Sequence, residues 1–173
     1  MPHNACTNQT NKQRKIKTMG TKVKIKLLND KAVVPTKAYE DDFCYDIYAT
    51  SEEEVAPNVW KYGLGIALQL DIDRDRQREI ERVEVDLCFT LRPRSSVWKT
   101  GMVLSSSVGT IDKGYTGEVS AVFYHVMPDM PRYKVGDKIG QIHINVAWKL
   151  DFEVVADLSK TERGDGGYGS TGK

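Results

Sequence analysis

Three short stretches of this chain carry residue types at spacings suited to chemistry on an anion. GTIDKGYTGEV, from Gly109 to Val119, sets a carboxylate, Asp112, at the end of an apolar run and an aromatic hydroxyl, Tyr115, three residues later. With Gly114 and Gly117 supplying a hairpin tip or bulge that needs positive φ, both side chains would project toward one cleft. A carboxylate within reach of a water is the minimum equipment of a general base. The plainer reading makes Asp112 an ordinary turn former and Tyr115 a half-buried aromatic. RPRSSVWKTG, from Arg92 to Gly101, places a guanidinium fork and two hydroxyls, Arg94, Ser95 and Ser96, behind a proline. Such a group suits phosphate oxygens, or it is a strand-to-helix connection with Ser95 as N-cap. The chain closes with RGDGGYGSTGK, five glycines in eleven residues around Arg163, Tyr168, Ser170 and Thr171. It has no Walker spacing and no strand-loop-helix context. Loose glycine backbone can wrap an anion, and it can equally be a frayed end.

Short β signals separated by turn residues would have to position these groups. VKIKLL from Val23 alternates apolar with basic residues, the mark of a strand with one wet face. Further signals are YDIYA near 47, WKYGLGIALQL near 65, VEVDLCFTL near 87, EVSAVFYHV near 122, KIGQIHINVAW near 143 and FEVV near 153. Turn clusters such as RPRSS, DKGYTG and KVGD divide them, and no long amphipathic helix is evident. The expected class is all-β, two sheets meeting in one core as a sandwich or jelly roll. DRDRQREIERVE, residues 73–84, is the exception: a charged surface excursion, either a helical turn or an extended loop. Residues 1–21 are polar and aperiodic and are expected to be a disordered leader.

The 173 residues, 40% of them hydrophobic, suffice for one domain with a real core. Twenty-five basic against 24 acidic residues leave a net charge of +1, so no overall field recruits nucleic acid or an anionic membrane. Any anion must be held locally. Cys6, Cys44 and Cys88 are widely spaced, without a CxxC pair or metal-ligand cluster, and read as reduced thiols of a cytoplasmic protein. No apolar run approaches membrane-span length. Trp60, Trp98 and Trp148 are expected in a core or an interface, and His125 and His143 as satisfied histidines of apolar strands.

Five blocks taken in order, AYEDDFCYDIYAT (38–50), RPRSSVWKTG (92–101), GTIDKGYTGE (109–118), VGDKIGQIHI (135–144) and RGDGGYGSTG (163–172), resemble the trimeric deoxyuridine triphosphate nucleotidohydrolases, the dUTPases. The resemblance spans about residues 22–173 and implies a distorted jelly-roll or β-barrel with little helix. It implies a β domain over 22–158 and a flexible glycine-rich lid over 159–173. The implied reaction is hydrolysis of dUTP to dUMP and pyrophosphate, with Asp112 as general base for water attack on the α-phosphorus. Tyr115 would pack beneath the deoxyribose and exclude a 2′-hydroxyl. Main-chain groups around Gly109, Thr110, Ile111 and Ser120 would read uracil, with Ser106 where asparagine is common. Arg94, Ser95, Ser96 and Gln141 would bind the triphosphate. Arg163, Gly169, Ser170 and Thr171 would clasp it from the tail, with Tyr168 stacked on the base. Asp46 would reach Mg²⁺ through water, the phosphates being its main ligands, and FCYD stands where AGYD is usual. The resemblance also implies a homotrimer whose sites are shared between chains. Two rivals remain: a dCTP deaminase-like enzyme of the same fold, for which Glu118 is the tempting carboxylate, and a non-catalytic nucleotide-binding or regulatory module.

Overall fold

Alternation in KVKIKL makes β1 (Lys22–Leu27), whose lysines face water while Val23 and Ile25 turn inward. In this computed structural model residues 21–72 and 74–167 are described. The expected leader up to residue 20, Cys6, and the tail residues Tyr168, Gly169, Ser170 and Thr171 lie outside them. Nine further strands follow: β2 (Tyr45–Tyr48), β3 (Ser51–Ala56), β4 (Val59–Gly63), β5 (Ile66–Asp71), β6 (Val85–Arg92), β7 (Met102–Leu104), β8 (Gly109–Ile111), β9 (Ser120–His125) and β10 (Lys138–Trp148). One α-helix, α1 (Arg74–Arg82), and a 3₁₀ turn, Ser95–Lys99, complete the described elements.

The strands form a two-stranded sheet, β1-β5, and two four-stranded sheets, β2-β10-β6-β8 and β3-β4-β9-β7. All pairs are antiparallel. The inward faces meet over Tyr62, Phe123, Ile47, Leu64, Ile66 and Ile139, all fully buried. Tyr62, Phe123 and Tyr133 pack edge to face, and Tyr62 Oη donates to the Tyr133 carbonyl at 2.9 Å. Each such side chain contributes about 1.5–3 kcal/mol of burial, so this aromatic knot fastens the loop at Tyr133 to the sheet β3-β4-β9-β7. The class is the expected all-β jelly-roll-like fold.

Several elements depart from the sequence reading. WKYGLGIALQL is two strands, because the chain turns at Gly65 with φ of +64°. FEVV makes no strand: residues 149–160 carry no ladder, and Val154 is 98% exposed. β3 was not expected from SEEEVA, whose glutamates have weak strand preference. It forms because Glu52 is opposite Tyr62 and ion-pairs with Arg132, whose guanidinium lies 3.5 Å from the Trp60 ring centre. The charged excursion is a helix, and Ile80 buries it against Val85 and Leu87. Trp60 is half-buried, but Trp98 and Trp148 are 71% and 69% exposed and belong to no core of this chain. His143 is buried with Thr90 Oγ1 3.1 Å from its ring, and His125 Nε2 lies 3.0 Å from the Met130 carbonyl. Both histidines are satisfied, as expected. Among the described residues Cys44 and Cys88 are free thiols, and no helix is long and apolar enough to cross a membrane.

Candidate active site

β8 carries Gly109, Thr110 and Ile111 along β6, with Thr110 opposite Thr90, and Asp112 leaves the ladder immediately afterwards. The chain then crosses to the other large sheet, where β9 begins at Ser120 and pairs with β4 and β7. The expected hairpin is therefore a crossing between sheets. Neither Gly114 nor Gly117 has positive φ. Gly117 is needed for space instead, since a Cβ there would sit 2.7 Å from Tyr115 Oη. Tyr115 N–H donates to the Asp112 carbonyl at 2.9 Å, which closes a turn. Tyr115 Oη donates to the Glu118 carbonyl at 2.8 Å. Val119 is bonded on both sides, its N–H to the Ile66 carbonyl and its carbonyl to Leu64 N–H. Thr110, Ile111, Asp112, Tyr115, Glu118, Val119 and Ser120 enclose a cavity of about 260 Å³. Of the residues singled out in sequence, Thr110, Ile111, Asp112, Tyr115 and Ser120 thus share one cavity. Ser106 is exposed beside it, its Oγ 3.6 Å from where a Cβ on Gly109 would be.

A second group gathers around Asp46, only 5% exposed. Lys138 Nζ donates to its Oδ2 at 2.9 Å, Gln141 Nε2 to its Oδ1 at 3.3 Å, and Arg94 Nε lies 3.5 Å from Oδ1. Burial pushes the Asp46 carboxyl up, but the bonds from Lys138 and Gln141 and the charges of Lys138 and Arg94 outweigh it. The group is held below its ordinary value. The same pair raises Lys138. Arg94 Nε is buried without a hydrogen bond, an orphan donor, while about a third of the side chain remains open. Ser95 and Ser96 open the 3₁₀ turn behind it. Ser95 is not the cap: Arg94 holds that position with extended backbone, and no side chain caps the turn.

Thr110 and Ile111 of the first group and Asp46, Lys138 and Gln141 of the second lie on the sheet β2-β10-β6-β8, with β6 between them. Arg94, Ser95, Ser96 and Gln141 do not line the 260 Å³ cavity. One chain assembles each group but does not merge them. Arg163 is apart from both, its Nε donating to the Gly166 carbonyl at 2.8 Å within an exposed turn. Among the described residues no three His, Cys, Asp or Glu are placed to hold a metal ion.

Lys138 is the group member that sequence reasoning missed. Strand alternation puts residues 138 and 141 on opposite faces. A register shift between Lys138 and Gly140 restores them to one face, opposite Tyr48 and Asp46. In KVGDKIGQ the isolated Gly140, at the register shift itself, is the local sign of that bulge. Glu118 was noted only as a rival catalyst, whereas its Oε1 accepts the Gly65 N–H at 2.8 Å.

A family model described as dUTPase matches residues 30–172. The deoxyuridine 5'-triphosphate nucleotidohydrolase of Clostridium tetani is 33% identical over 152 residues, covering 87% of this chain and 97% of that protein. A mutant dUTPase of Staphylococcus bacteriophage 80alpha with dUpNHpp superposes with a TM-score of 0.68 at 21% identity, over 88% of this chain and 99% of that one. A mutant dUTPase from phage phi11 of S. aureus, reported with a structural Mg(II) ion, gives 0.60 at 19% identity over 80% and 99%.

Proposed function

The chain belongs to the dUTPase family, and from that premise we propose how its residues hydrolyse dUTP to dUMP and pyrophosphate. The observation that carries the reading is Asp112 lining one cavity with Tyr115, Thr110, Ile111 and Ser120. Asp112 orients a water and takes its proton as the oxygen attacks the α-phosphorus in line, and the bond to the bridging oxygen of pyrophosphate breaks. Main-chain groups of Gly109, Thr110, Ile111 and Ser120 read uracil, with the Ser106 hydroxyl beside them. The Tyr115 ring lies under the deoxyribose. Arg94, Ser95, Ser96 and Gln141 take the phosphates, and Arg94 stabilises charge that develops on the leaving group. Its buried Nε, which faces Asp46 at 3.5 Å but makes no hydrogen bond, supports this role, because a phosphate oxygen would satisfy it.

Residues 159–173 are the proposed lid, Arg163, Gly169, Ser170 and Thr171 closing on the phosphates and Tyr168 on the base. An Mg²⁺ ion brought in with the nucleotide would have the phosphates as its main ligands. When bound, that ion would neutralise phosphate charge, and Asp46, kept anionic by Lys138 and Gln141, would be the residue to hold it, through water.

A homotrimer with shared sites accounts for the separation of the two groups within one chain. The same proposal explains the arm after β10, where Leu150, Phe152 and Val154 lie exposed at alternate positions. It also explains an apolar cavity of about 500 Å³ among Val23, Ile25, Val34, Phe43, Tyr45 and Leu68. Glu118 lines the cavity too, and its Oε1 is taken up by the Gly65 N–H.

The test is pyrophosphate release from dUTP, UTP, dTTP and dCTP, with ammonia release followed in parallel. Asp112→Ala is expected to lower dUTP turnover about 10²–10⁴-fold while a non-hydrolysable dUTP analogue still binds. Turnover persisting in that variant refutes the assigned base, and ammonia from dCTP would restore the deaminase.

A further inference from the structure

Between Asp112 and Ser120 the crossing segment is tied to the β4-β5 connection by the main-chain bonds of Val119 and, one residue earlier, by the side chain of Glu118. Its carboxylate sits on the bare α-carbon of Gly63, where a Cβ would come within 2.7 Å of Oε1. It accepts the Gly65 N–H at 2.8 Å. Gly65 is itself fixed by positive φ, and a side chain there would strike Asn29. The turn between β4 and β5 is thus a rigid socket made of two glycines, and the Glu118 side chain is the plug. On the other side of the same residue, the Glu118 carbonyl accepts the Tyr115 hydroxyl at 2.8 Å. Gly117, between them, leaves the space that the ring occupies. Tyr115 and Glu118 both line the cavity.

We propose that Glu118 is a positioning residue for sugar discrimination: by plugging the Gly63–Gly65 socket it fixes, together with the Val119 N–H bonded to the Ile66 carbonyl, the carbonyl that holds Tyr115, and so sets how closely the ring closes on the 2′-carbon. The inference rests on the proposed placement of Tyr115 under the deoxyribose. Excluding one added hydroxyl by shape requires a wall that does not recede. A tyrosine on an exposed loop, free to swing, is a poor wall. Hydroxyl-to-carbonyl anchoring removes that freedom without touching the substrate, and the socket carries the restraint into the buried β4-β5 connection. Glu118 acts through an acceptor oxygen and not through its charge.

The readout is the ratio of kcat/KM for dUTP over UTP in the full-length protein, with Tm measured alongside. Glu118→Ala and Tyr115→Phe are each expected to lower the ratio about tenfold, chiefly by admitting UTP, and the double variant to lower it no further. Glu118→Gln, which keeps the acceptor, stays within about twofold of wild type. Tyr115→Ala reports on the underlying reading. If it lowers the ratio while Glu118→Ala and Tyr115→Phe do not, the inference fails and the placement of Tyr115 survives. If Tyr115→Ala leaves the ratio unchanged, that placement fails as well. A parallel fall for both nucleotides with a lowered Tm in Glu118→Ala would make the residue merely structural and overturn the inference. Should that variant not fold, Tyr115→Phe and Glu118→Gln decide the matter from the two ends of the same link.

Discussion

Asp46 concentrates more opposing electrostatic effects than any other described carboxylate of the site, being nearly sealed from water yet ringed by Lys138, Gln141 and Arg94. Its folded pKa lies below its unfolded one, so its stabilising contribution is complete above the ordinary carboxylate value and drains away as pH falls through the lowered one. Wild type is therefore expected to exceed Asp46→Asn in Tm by a constant margin between about pH 5 and 7, with the margin shrinking below about pH 4. A margin that instead grows on acidification would contradict the direction of the shift. Sequence named Asp46, Arg94 and Gln141 through their blocks. It did not name Lys138, because the bulge that turns it toward Asp46 is a property of the pairing with β2.

At the scale of elements, the crossing from β8 to β9 shows how little a turn motif says about what it connects. DKGYTG reads as a hairpin tip, yet its flanking strands belong to different sheets, and Gly117 serves by absence of a Cβ beside Tyr115. Gly117→Ala is expected to push the ring aside and cut dUTP kcat/KM with little change in Tm, since the loop buries little else; kinetics and thermal melting together check it. The insert behaves differently. Its charge pattern alone leaves helix and loop open, and what decides is Ile80, which closes a small cluster with Val85 and Leu87 at the end of β6. Ile80→Ala is expected to cost about 2 kcal/mol in urea unfolding, the low end for buried isoleucine in a cluster this small. Activity per folded molecule should be retained, because neither site group touches that cluster.

For the whole molecule, the arm and the divided site make the same demand. Leu150, Phe152 and Val154 alternate as a strand would, and 84% of Phe152 is open to solvent in the single chain. On the proposed shared-site trimer, Phe152→Ser is expected to shift mass in solution toward monomer at low micromolar concentration and to lower dUTP turnover in step, read by light scattering and pyrophosphate release. Turnover surviving in a demonstrated monomer would end the shared-site proposal. The amino-acid sequence by itself determined the β class, the strand cores from VKIKL to KIGQIHINVAW, and the chemistry-bearing blocks, because alternation and local residue types are written along the chain. Tertiary structure decided that FEVV stays unpaired, that SEEEVA becomes a strand, that Lys138 faces Asp46 and that Glu118 plugs a glycine socket. The Lys138 and Glu118 contacts, and the Glu52–Arg132 pair behind SEEEVA, each join residues dozens of positions apart, and a neighbour brought by folding leaves no local mark in the sequence.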